Sequence, residues 1–372
     1  MDNIIDYAEK VLDTMVTAPF GPVDSLVLSQ FAYIRFEGVV PGLYDGAPSV
    51  RIRDLLKAEH YPTMFKNVRD TENNRRLLNA LAASPRFRDV RMNYYVAKTD
   101  IGLEHQFSAV TFGLGDKVAY IAFRGTDGTV VGWKEDFNMG FKSPVPSQEE
   151  GVRFLNEVAK RYPETAIRVG GHSKGGNIAV YAAMHCDASV KCRIQRVFSH
   201  DGPGFRSEVL ESGGFARLEP ILHKTVPQSS LIGMLMHNQE RHYVVESNRF
   251  GIMQHDPFSW VVDGRDFRYA VRLSDSARYF DRTLNGWLST QTDEKRALFV
   301  DVLFSAVGSM NATTVGELLE GAWFKGALSM IKAYKSADEE TRQMVMQAVK
   351  SLAVALATNF RGPAKSKRTY LK

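Results

Sequence analysis

Cysteine is almost missing from this chain. Only Cys186 and Cys192 occur among 372 residues, too few for a disulfide framework and without the paired Cys/His spacing of a zinc site. Reduced thiols fit a cytoplasmic protein, and no metal or other cofactor is expected. Long apolar runs are also missing: no stretch approaches the roughly 20 residues needed to cross a bilayer. The opening segment "MDNIIDYAEKVLDTM" carries acids throughout, so it lacks the basic-then-apolar order of a secretory signal. Charge of one sign is scarce outside the tail. Lys and Arg number 47 against 42 Asp and Glu, but the last stretch, "FRGPAKSKRTYLK", holds Arg361, Lys365, Lys367, Arg368 and Lys372 and no acid. Removing those five from 47 leaves 42 basic against 42 acidic residues. The net charge of +5 is therefore a property of a solvated tail. It is not the footprint of a nucleic-acid-binding face, and no nucleic-acid partner is expected.

Hydrophobic residues at 44% and charged residues at 24% suit a globular chain with a sizeable core. Residues 3–16 and 24–35 show helical apolar spacing, the second with Asp24 placed as its N-cap, and "NRRLLNALAAS" predicts a third helix. The pattern then changes to stretches rich in Val, Tyr, Phe and Ile: "RFRDVRMNYYVAKTD", "LEHQFSAVTFGLG" and "DKVAYIAFRGT". These read as successive strands. Helical and strand signals alternate from there to residue 274, which predicts βαβ units, a mostly parallel sheet and helices on both of its faces. Beyond residue 274 the chain reads as helical. The expected division is a domain over 1–274 and a helical C-terminal extension over 275–372 with the basic tail.

Within the alternating region, "AIRVGGHSKGGNIAVYAAMH" (166–185) opens like a strand and closes like a helix. Between them Gly171, Ser173 and Gly175 form G-x-S-x-G. At a strand-to-helix junction this spacing is that of a nucleophile elbow. Small residues two positions either side let strand and helix approach, and the strained turn stands one hydroxyl clear of the sheet. The new helix points its N–H groups at a developing oxyanion. Ser173 is the candidate nucleophile.

A serine hydroxyl needs a base oriented by an acid, in the chain order Ser, Asp or Glu, His. His200, His223, His237, His242 and His255 all follow Ser173. His200 and His223 fall in strand-like or early positions, and His237 and His242 flank a predicted hairpin. His255, in "GIMQHDPFSW", follows a strand and a Gly-bearing loop and is favoured as base. Asp201 ends an apolar strand and begins the loop "DGPGF", at the sheet edge where α/β proteins collect their sites. It is the favoured acid, with Glu240 and Glu246 as fallbacks. Asp256 adjoins His255 too closely to reach round its ring, and Asp263 follows the histidine. For the oxyanion, one donor is the amide of Lys174 and the other belongs to the loop "FRGTDG", where Thr126 is the candidate.

These residues together resemble the class 3 lipases, a branch of the α/β-hydrolases, and most closely the bacterial Mbeg-like family. "AFRGTD" with Trp133 and Asp136 in "WKEDFNM" looks like the lipase oxyanion loop, and "GHSKGGNIAVYAA" like the elbow, with Lys174 where lipases usually show Leu. "HDGPGF", "VPQSSLIGMLM" and "QHDPFSWVV" look like further family signatures over about residues 1–290. The resemblance implies an α/β-hydrolase fold, a mostly parallel central sheet flanked by helices, with N-terminal helices and a helical C-terminal extension. It also implies Ser173 as nucleophile, His255 as base, and Thr126 with Lys174 as oxyanion donors. The acid does not carry over: class 3 lipases bear an aspartate just after the next strand, where this chain reads "TVPQSS", and Asp201 one strand earlier substitutes for it. The expected partner is a small-molecule or lipid ester, met without a membrane span. The alternative is a hydrolase fold kept as a binding or scaffold module with an incomplete triad.

Overall fold

The computed structural model describes residues 1–278 apart from 101–104, 116, 127–134, 136–138, 140–142, 212–213, 237–240 and 276, together with 292–295, 339 and 343. Most of the helical region predicted beyond residue 274 and the whole basic tail therefore lie outside the described residues, as do Trp133, Asp136, His237 and Glu240. An eight-stranded sheet runs in sequence order: β1 (Val50–Arg51), β2 (Arg91–Asp100), β3 (His105–Gly113), β4 (Val118–Phe123), β5 (Ala166–His172), β6 (Ile194–His200), β7 (Leu222–Pro227) and β8 (His242–Val245). The pairs from β1 to β4 are antiparallel and the four pairs from β4 to β8 are parallel. The expected α/β-hydrolase fold is present, with an antiparallel meander at one edge of the parallel region.

Strand alternation decides which face each residue serves. On β4, Tyr120 and Ala122 pack with α1 (Ile4–Lys10), α2 (Pro22–Phe31) and α3 (Thr71–Ala83), whereas Ile121 and Phe123 pack against α4 (Pro146–Arg161) and α5 (Lys174–His185). Every side chain of β4 from Ala119 onward is buried, because both faces are covered. The β4–α4–β5–α5–β6 crossovers all step the same way across the sheet. Connections of one hand then place both helices on one face, and the opposite face is left for the N-terminal helices.

The N-cap of the second helix lies three residues earlier than the sequence suggests. It is Gly21, and Pro22 occupies the first turn, so Asp24 sits at the third helical position. From there Asp24 Oδ2 accepts the Gly21 N–H at 2.8 Å. The same carboxylate takes a bidentate grip from Arg86, with Nε to Oδ1 at 2.7 Å and Nη2 to Oδ2 at 2.6 Å, and Tyr7 Oη donates to Oδ1 at 2.9 Å. Both charged side chains are about 1% exposed. Arg86 also donates to the Asp13 and Ala18 carbonyls, so one buried ion pair ties α2 to the chain before and beneath it. Among the described residues no helix is long and apolar enough to cross a membrane.

Candidate active site

β5 ends at His172 and α5 begins at Lys174, leaving Ser173 alone at the junction with φ 57° and ψ −130°. A non-glycine residue there is strained and is held only by its surroundings. The Ser173 N–H donates to the His200 carbonyl at 2.9 Å, and the Ser173 carbonyl accepts from the Gly176 N–H at 2.9 Å. The flanking glycines have a steric reason. A Cβ on Gly175 would run into the Phe123 carbonyl, and one on Gly171 into the Gly175 backbone. The elbow is thus packed against the end of β4 through bare backbone.

Register sets the neighbours. His172 pairs with His200 across β5 and β6, and His200 with Thr225 across β6 and β7. The residues following those strand ends, Ser173 and Asp201, therefore emerge side by side. Asp201 is fully buried with φ 49°, its N–H donating to the Thr225 carbonyl at 2.8 Å. Its Oδ2 lies 2.6 Å from His255 Nδ1, and its Oδ1 accepts from Ser230 Oγ and from the Gly233 N–H at 3.1 Å. A carboxylate accepts, so Nδ1 of His255 carries the proton and, in the neutral ring, Nε2 keeps its lone pair. Neither His255 Nε2 nor Ser173 Oγ takes a hydrogen bond among the described residues.

His255 closes the short 3-10 turn Gly251–His255. Gln254 braces that turn: its Oε1 accepts the Ser229 N–H at 2.7 Å, its Nε2 donates to the Arg249 carbonyl, and its own carbonyl accepts Trp260 Nε1–H at 2.8 Å. Trp260 is completely buried. Asp256 turns away, accepting from Phe258 N–H and pairing with Arg249 at 2.6 Å.

The alternative histidines do other work. His200 is sealed, with Nδ1 2.6 Å from Thr225 Oγ1 and Nε2 2.9 Å from Ser25 Oγ. Ser25 and Ser29 both reach the Tyr120 hydroxyl at 2.8 Å. This Ser–His–Thr chain imitates a triad, but its serine is 0% exposed and no substrate reaches it. Burial lowers the pKa of His223 to about 4, and its ring stacks on Tyr243 at 4.4 Å. His242 begins β8. The fallback acid Glu246 faces Arg268.

On the oxyanion side, Thr126 follows the end of β4 and is half-buried. Lys174 is the first residue of α5, and its side chain is 2% exposed. Its ammonium donates to the Gln106 carbonyl at 2.9 Å and to Glu135 Oε2 at 3.1 Å. Glu135, itself fully buried, also accepts the Gln106 N–H at 2.8 Å and the Ser147 N–H at 2.7 Å. A cation at the start of a helix opposes the helix dipole, and the Glu135 carboxylate offsets it.

The family model described as Mbeg1-like matches residues 81–305, more than half of the chain. The chain belongs to the Mbeg1-like family. Among solved structures, this Mbeg1-like protein is similar to the Rhizomucor miehei lipase propeptide complex at 18% identity and TM-score 0.34, covering 45% of this chain and 58% of that one. Lip2 lipase from Yarrowia lipolytica is 15% identical, with TM-score 0.31 and coverage of 43% and 67%. Lipase II from Rhizopus niveus is 19% identical, with TM-score 0.31 and coverage of 46% and 69%. Likenesses this distant decide no residue's role. A comparison with curated proteins found no match.

Three further residues of the candidate site carry no catalytic pattern in the sequence. Ser230 lies in "QSSLIG", where the serines look like ordinary turn formers. Glu135 sits among other charges in "WKEDF". Tyr33, whose hydroxyl is 3.1 Å from His172 Nδ1, belongs to a segment whose helical spacing suggests only core packing. Ser230 and Glu135 do lie within the family-like segments "VPQSSLIGMLM" and "WKEDFNM".

Proposed function

We propose that this Mbeg1-like protein is a serine hydrolase of carboxylic ester or thioester bonds, lipase- or esterase-like, working through an acyl-enzyme. The observation that carries the reading is the buried 2.6 Å contact between Asp201 and His255 beside a strained strand-to-helix serine. Ser173 Oγ attacks the carbonyl carbon while its proton passes to His255 Nε2. The oxyanion accepts from the amides of Lys174 and Thr126, each such donor being worth about 10²–10³ in turnover. Collapse of the tetrahedral intermediate expels the alcohol or thiol, which takes the proton from His255. Water then repeats the sequence on the acyl-enzyme, releasing the acid and restoring Ser173. Asp201 keeps the imidazole in the tautomer that presents Nε2 and steadies the imidazolium.

Full-length protein treated with a fluorophosphonate probe tests this directly. Wild type should label and Ser173→Ala should not; equal labelling, or none in either, ends the proposal. The binding-module alternative rests on a missing carboxylate after β7 and on the long helical C-terminus; the Asp201–His255 contact weighs against the first of these. The same proposal treats 1–274 as the hydrolase unit and 275–372 as a helical extension. It places the chemistry in the cytoplasm, supported by two free cysteines, one of them exposed.

A further inference from the structure

Next to the nucleophile stands a second imidazole that the proposed chemistry does not use. His172 is 4% exposed, and its ring centroid lies 4.6 Å from that of His255. Its Nε2 is 2.8 Å from the His255 carbonyl oxygen and its Nδ1 3.1 Å from the Tyr33 hydroxyl. A carbonyl can only accept, so Nε2 carries the proton. Burial and the neighbouring His255 hold the His172 ring well below the usual histidine range. The ring is therefore neutral, and Nδ1 accepts from the Tyr33 O–H. Among the described residues His172 is the donor that satisfies the His255 carbonyl, which lies at the end of a short turn outside any ladder.

Tyr33 touches a third piece of the site. A Cβ placed on Gly125 would meet its hydroxyl and the His172 carbonyl, so the tyrosine lies against the residue before Thr126. One phenol and one neutral imidazole thus touch the oxyanion loop, the elbow and the histidine loop at once. Filling this position for packing alone requires only an apolar side chain. A buried imidazole nitrogen left unpaired is costly, and here both nitrogens are paired, one of them to the main chain of the proposed base itself.

We infer that Tyr33 and His172 are positioning residues that hold the His255 backbone in register with Ser173, through Tyr33 Oη–H to Nδ1 and Nε2–H to the His255 carbonyl. They act through His255 and touch no reacting atom. The inference rests on the serine-hydrolase reading above. If it holds, small displacements of the base reduce turnover and leave binding of a short substrate alone.

The test uses the full chain, p-nitrophenyl butyrate as substrate and Ser173→Ala as blank, with thermal midpoints measured for every variant. His172→Phe keeps a ring and loses both hydrogen bonds; kcat should fall about ten- to a hundredfold, as for a sub-ångström to ångström misplacement, at unchanged KM. His172→Gln restores a donor near the Nε2 position and should recover most of that loss. Tyr33→Phe should lie between them. Fluorophosphonate labelling rates should follow the same order, because acylation needs the same base. A merely structural role would make kcat follow the thermal midpoint, with His172→Gln no better than His172→Phe, and that pattern overturns the inference. So does wild-type kcat in Tyr33→Phe and His172→Phe while the wild type itself turns over. A wild type no faster than the Ser173→Ala blank removes the serine-hydrolase reading, and this inference with it.

Discussion

Ser230 donates its hydroxyl to Asp201 across the ends of neighbouring strands β7 and β6. The segment after β7, where the resemblance to class 3 lipases implies an acid, here supplies a hydroxyl to Asp201 at the end of β6, the carboxylate proposed as the acid. Asp201 Oδ1 is thereby occupied by Ser230 and Gly233, and Oδ2 alone faces the imidazole. The carboxylate is oriented before any substrate arrives.

That arrangement makes the tautomer argument testable. Asp201→Asn preserves the acceptor toward Ser230 and Gly233 but can offer an N–H to the ring, which favours the wrong tautomer. Turnover should fall about 10⁴-fold with little loss of thermal stability. Ser230→Ala leaves the Gly233 bond in place, and its loss in kcat should be far smaller. Steady-state kinetics on the two variants checks the ranking, which fails if Ser230→Ala is the more damaging.

The buried ion pair under the elbow is asymmetric. Glu135 satisfies three donors, the N–H groups of Gln106 and Ser147 and the Lys174 ammonium, whereas removing the ammonium leaves the carboxylate still holding two N–H groups. Glu135→Leu should therefore cost more than Lys174→Met, by about 1–3 kcal/mol for each extra orphaned donor. Urea denaturation of both variants measures the difference, and equal losses would contradict the argument.

Asp24 and Arg86 predict a separate stability effect far from the chemistry. Asp24→Ala leaves a buried guanidinium without its counter-ion and should destabilise by about 3–5 kcal/mol. Replacing both partners with apolar residues of similar volume should restore much of that loss. The double-mutant cycle, read by chemical denaturation, shows whether pairing or packing dominates.

Two buried histidines, His172 and His200, and the half-buried His223 predict an acid-sensitive fold. Burial holds His172 and His200 well below the ordinary value of 6.5 and takes His223 to about 4. As pH falls through roughly 6.5 the unfolded chain binds protons at these side chains and the folded chain does not. Their contribution is present in full above that pH and is lost progressively on acidification, for His223 until about 4. Each adds a slope of about 1.4 kcal/mol per pH unit in that window. Denaturation midpoints between roughly pH 7 and pH 5 should fall accordingly, and His200→Gln should flatten the slope by about one proton. A midpoint independent of pH in this range would show that these rings are charged in the folded state.

Much of the fold was legible because local rules act alone where they are strong. Runs rich in Val, Tyr, Phe and Ile marked β2 to β4, alternation with helical segments marked the strands that follow, and the glycines around Ser173 marked a strand-to-helix junction. The start of α2 was misread because Asp24 is an equally good residue at the cap and at the third position; Pro22 and the Gly21 backbone decided between them. The helices on the second face of the sheet were expected from alternation, but the face they occupy follows from strand order, which no local pattern encodes.

What the chain determined by itself was a set of positions: a strained serine between glycines, an aspartate at a strand end, a histidine in a later loop. These depend on steric and capping rules spanning a few residues. What only the tertiary structure decided was who meets whom. Asp201 and His255 lie 54 residues apart in sequence, and Tyr33 and His172 lie 139 apart. Those contacts depend on sheet register and on which face each helix covers. Register and layering are set by the summed packing of the whole core, so no single segment of the sequence contains them.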